Sequence, residues 1–132
     1  MTTLLRIGLE MTSIASVLMA GWLASVVLLV LPVRDPGHIQ LWAAVAIATA
    51  ALVAVTLLAI RRGRAIQAGL AALLALLALA AIGFGLYVLA SALVTAIGGD
   101  PEGYLFAIGA ILTAQGGLGL AWLASVAVGR AR

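Results

Sequence analysis

Two residues stand where their chemistry is costly unless it is used: Glu10 and Gln115. Glu10 lies inside an apolar run. A carboxylate in mid-membrane costs at least about 2.5 to 3.5 kcal/mol and commonly marks an ion or substrate path. Arg6 precedes it by four residues, and near a helix start the carboxylate is also favoured by the helix dipole and can reach the interface. Glu10 therefore reads either as an interfacial, Arg-paired glutamate, the plainer expectation, or as a proton- or cation-coupling site. Gln115 is the most central strongly polar residue, and Gly116, Gly117 and Gly119 beside it leave room for a neighbouring backbone or a ligand. Its amide must find partners, as glue between helices or as part of a polar site.

What surrounds these two residues narrows the chemistry further. The 132-residue chain is 66% apolar and 8% charged, against about half and a quarter for an ordinary soluble domain. It holds 29 Ala, 26 Leu and 15 Gly, one His, and no Cys, Lys or Asn. That is the composition of an integral membrane protein, and it argues against nucleic-acid binding and soluble enzymology despite a pI near 10.7. Zero Cys removes disulfides and thiolate metal sites, and a single His removes a bis-histidine haem. His38, with Asp35 nearby, makes no recognisable metal site. Neither a Ser-His-Asp arrangement nor a phosphate-binding glycine loop is present. The expectation is a protein without cofactor or metal that is not an enzyme. Abundant Ala, Gly and Arg without Lys or Asn suggest a GC-rich bacterial gene, and so a bacterial inner (cytoplasmic) membrane.

The elements that must position Glu10 and Gln115 are four apolar runs of about 20 residues or more, the length that crosses about 30 Å of hydrocarbon. They cover 7–31, 39–60, 65–97 and 104–128, and short connections make sequential helices antiparallel neighbours. The predicted fold is a single all-α transmembrane domain over 1–132, an antiparallel four-transmembrane-helix bundle. The first run is longer than a signal peptide's apolar stretch and is read as retained. Arg6, Arg61, Arg62, Arg64, Arg130 and Arg132 fall on one side, and Arg34, Asp35, Asp100 and Glu102 on the other. The positive-inside rule then puts both termini in the cytoplasm, N-in/C-in. In both outer loops an Asp-Pro pair opens the next helix: Asp35 and Asp100 can cap it, and Pro36 and Pro101 fit its first position. Gly98 and Gly99 suit a left-handed stop. Trp42 and Tyr104 near the outer boundary and Trp122 near the inner one read as aromatic anchors. The third run would be about 50 Å of helix, so its inner end projects into the headgroups or it tilts or bends near Gly83-Phe84-Gly85.

Helices in lipid associate through close backbone approach at small residues. The fourth run offers a ridge of Gly109, Thr113, Gly117, Ala121 and Ser125 at four-residue spacing, for internal packing or for contact with another subunit.

Glu10 in the first span and Gly83-Phe84-Gly85 in the third are the points at which the chain resembles the small multidrug resistance transporters, which are similarly short four-helix proteins with an essential membrane glutamate in the first helix. That resemblance implies a small proton- or cation-coupled transporter, with Glu10 as its carboxylate. The chain departs from the family in its shallow Glu10 preceded by Arg6, its longer third span, its few aromatic residues and an Arg bias that fixes one orientation. The leading expectation is a non-enzymatic accessory or structural subunit. Its surroundings would be the lipid bilayer and other membrane subunits or further copies of itself, with no nucleic acid. The alternative is the transporter or channel, using Glu10 and Gln115.

Overall fold

The computed structural model describes residues 2–34, 36–62, 67–99 and 103–131. In order these form α1 (Thr2–Leu29), the one-turn α2 (Leu31–Arg34), a 3-10 turn (Pro36–His38), α3 (Ile39–Arg62), α4 (Ala68–Ile97) and α5 (Gly103–Ala131). The four long helices are apolar and long enough to cross a membrane, which suggests a multi-pass membrane protein.

Local chemistry sets their ends. α1 stops at Leu29 because Pro32 has no N–H to continue the ladder; the chain makes one further turn instead, with the Val33 amide bonding the Val30 carbonyl at 3.1 Å. Gln67 is extended (φ −74°, ψ 148°) ahead of α4. Helix therefore begins at Ala68, three residues later than the apolar run implies. α4 then runs unbroken through Gly83-Phe84-Gly85 to Ile97. Beyond it the Gly98 and Gly99 amides bond the carbonyls of Val94 and Ala96, and Gly99 takes φ +91°, a conformation that suits glycine. Arg61 and Arg62 sit in the last turn of α3, where cations complement the helix dipole. Asp35, Asp100, Arg64 and Arg132 lie outside the described residues, as does the side chain of Arg130.

α4 packs most extensively on α5, α1 packs on α3 and also on α5, and the seam between α3 and α4 is the loosest of the four. The buried positions follow a common rule. On α4 they are Leu74, Ala78, Ala81, Gly85, Val88 and Ala92, and on α3 they include Val45, Thr49, Leu52, Thr56 and Ala59. Both series alternate steps of four and three. A mean period of 3.5 residues keeps one seam facing a neighbour at a crossing angle of about 20°.

Three glycines close the α4/α5 seam. A Cβ on Gly85 would come within 2.5 Å of the Thr113 hydroxyl and 2.9 Å of the Gly109 carbonyl oxygen. One on Gly109 would meet Leu89 at 2.6 Å and the Gly85 carbonyl at 2.8 Å, and one on Gly116 would meet the Ala78 carbonyl at 2.5 Å. At these points backbone lies directly on backbone. Trp122, expected as an inner-boundary anchor, is a core residue only 7% exposed. It falls on the inward stripe of α5 together with Ile108, Leu112, Gln115 and Gly119.

Candidate functional site: a buried polar cluster beside a groove

Most hydroxyls within the helices are satisfied by their own backbone. Thr12 donates to the Gly8 carbonyl at 2.7 Å, Thr49 to Val45 at 2.7 Å, Thr56 to Leu52 at 2.7 Å and Thr95 to Ser91 at 2.8 Å. Such a group carries no unmet demand into the membrane interior.

Gln115 cannot satisfy its amide in this way, and it joins three helices. Its side chain is 0% exposed, and its Nε2 donates to Ser13 Oγ on α1 at 3.3 Å and to Thr56 Oγ1 on α3 at 3.4 Å. Ser13 and Thr56 are themselves only 3% and 1% exposed. The Thr56 hydroxyl has already given its proton to Leu52, so its oxygen accepts from Gln115 without conflict. Both contacts to Gln115 lie beyond the usual 2.7 to 3.2 Å for N–H···O, roughly speaking. The Gln115 Oε1, the Ser16 Oγ one turn along α1 from Ser13, and the Thr113 Oγ1 are buried without a hydrogen-bond partner. Each such orphan costs about 1–3 kcal/mol.

Glu10 is at the surface. Its carboxylate is half exposed and accepts from Arg6 Nε at 3.3 Å, an i,i+4 pair on α1. A groove of about 440 Å³ opens beside it between α1 and α3, lined by Glu10, Ser13, Ile14, Val17, Val53 and Leu57 among others. Ser13 connects the two features. It belongs to the groove wall and is also a partner of Gln115. The structure thus brings Glu10 and Gln115 to either side of one serine, a relation the sequence reading did not contain. The signal that could have found it was the run of polar residues at 10, 13 and 16 on one stretch of α1.

The ridge residues of α5 divide between two faces. Gly109 is buried against Gly85 and Leu89, and Thr113 lies against Gly85. Gly117 and Ala121 are exposed, Gly117 with nothing within 4 Å of a Cβ, while Ser125 is partly buried and donates to the Trp122 carbonyl at 2.8 Å. The inward place that four-residue spacing would assign to Gly117 is held by Gly116. At the other end of the bundle, His38 lines a cavity of about 360 Å³ with Trp42, Tyr87, Ser91 and Tyr104. Among the described residues, no three His, Asp or Glu side chains gather as a metal site requires. Comparison with protein-family models, with curated proteins and with solved structures finds no match.

Proposed function

We propose that this protein is a small non-enzymatic subunit of the bacterial inner membrane, whose work is to pack against further copies of itself or a larger membrane complex. The observation that carries this reading is the outward face of α5. Ala110, Ala114, Gly117, Ala121 and Ala124 are all exposed, with steps of four, three, four and three, so they form one continuous stripe of small residues. The outward faces of α1 and α4 set large side chains, Ile14, Leu18, Leu28, Leu76, Leu79, Leu86 and Leu93, among their exposed small residues, and such large side chains are those expected against lipid tails. Small residues at this period let another helix approach closely, as Gly85 and Gly109 do inside the bundle. In this reading the long helices alternate in direction. The α4/α5 contacts support this, since Gly109 meets Leu89, Gly116 meets Ala78 and Ile82, and Gly119 meets Leu74. Arg6, Arg61 and Arg62, with Arg64, Arg130 and Arg132, then face the cytoplasm, N-in/C-in. Extraction from native membranes in mild detergent tests the proposal: a fixed-ratio assembly is expected, and a lone monomer contradicts it.

The groove beside Glu10 favours a second reading, a small proton- or cation-coupled transporter that uses Glu10 and Gln115. It requires that Glu10→Gln abolish proton- or cation-driven flux in proteoliposomes. Unchanged flux removes it.

A further inference from the structure

We infer that water enters the bundle beside Glu10 and ends in a buried site formed by Ser13, Ser16, Thr56 and Gln115, making a crevice open at one end only. Four observations converge on it. Gln115 Oε1 and Ser16 Oγ are fully buried and have no partner, whereas Thr12 and Thr56 bond carbonyls of their own helices. The amide contacts of Gln115, at 3.3 and 3.4 Å, leave the cluster loosely closed. Ser13 borders both the cluster and the groove that holds Glu10. Past Ser16 the core side of α1 turns apolar at Met19, Leu23 and Val27, and on α3 the next hydroxyl, Thr49, is already bonded to Val45.

A buried water typically makes two to four hydrogen bonds to groups that would otherwise be unpaired. Here water can donate to Gln115 Oε1 and bond the Ser16 hydroxyl, both of which the protein alone leaves unmet. Arg6 and Glu10, both about half exposed or more, supply the polar entrance, and the apolar residues beyond Ser16 stop the water from crossing. Such a crevice is compatible with a packing subunit and with a transporter, and its presence does not decide between them.

The absence of native cysteine makes the test direct. Ser16→Cys, a near-isosteric change, is placed in the full-length chain in proteoliposomes and treated with silver ion, a probe of about water size that reacts with thiolate in water. Leu79→Cys is the control, because Leu79 is exposed on the outer face of α4 next to Ala78, which contacts Gly116. Ser16→Cys should react on the order of tenfold faster or more, since only a hydrated thiol forms thiolate readily. Adding Ser13→Val should bring that rate down to the control. A Ser16→Cys rate equal to the control, or one unaffected by Ser13→Val, overturns the inference and leaves the groove to acyl chains. Hydrogen exchange of the wild-type Gln115 side-chain amide in deuterated buffer, read by solid-state NMR, needs no variant. Exchange within minutes is expected, and protection over days overturns the proposal.

Discussion

Gln115 reaches two hydroxyls with its nitrogen and none with its oxygen, so its net contribution to stability is small although its burial is complete. Hydrogen bonds between membrane helices average about 0.6 kcal/mol, and replacing a partly satisfied polar group by an apolar one of similar shape can be nearly neutral. Gln115→Leu should therefore change unfolding free energy by less than about 1 kcal/mol. Gln115→Ala, which leaves a cavity, should cost about 2–4 kcal/mol. Reversible unfolding in mixed detergent micelles measures both, and a Leu variant as weak as the Ala variant would show that the amide, not its volume, holds the helices. The Arg6–Glu10 pair is exposed and adds only about 0.3–0.5 kcal/mol, so Glu10→Gln should leave the melting temperature nearly unchanged.

Among the helices, α4 and α5 are the most extensively packed pair, and the glycines of these two helices are not equivalent. Gly85→Ala and Gly116→Ala press a methyl group into opposing backbone and should each cost about 1–3 kcal/mol. Gly83→Ala and Gly117→Ala meet open space and should be neutral or slightly stabilising through helix propensity. Thermal melts of the four variants check the contrast, and equal losses in all four would refute this packing. Reading the chain by eye could not separate these pairs. Steps of four residues advance about 40° beyond a full turn each time, so a ridge drawn from Gly109 at that spacing drifts off the seam by Gly117. The actual stripe alternates four and three. Hydrophobicity could not reveal it, because exposed Leu76 and core Leu74 are the same residue type. The four spans were legible from length alone, and Gly99 from its place after a helix. The meeting of Ser13, Thr56 and Gln115 was not, since it joins residues far apart in sequence through a fold that the apolar pattern leaves unspecified.

For the whole molecule, the proposed orientation and association rest on what remains on the outside. If both termini face inward as proposed, a cysteine in place of Gly63 should label only from the cytoplasmic side and one in place of Gly98 only from the opposite side; the reverse pattern would refute the orientation. Gly98 suits this better than Gly99, whose positive φ strains any other residue. The outer small-residue stripe of α5 is the surface on which the subunit proposal depends, and Gly117 lies at its centre, exposed and with open space where a Cβ would stand. The decisive measurement is the mass of the Gly117→Ile protein extracted beside wild type in the same mild detergent. The account predicts a wild-type melting curve for both and loss of the assembly in the variant. A variant that folds normally and keeps the full wild-type assembly would contradict it.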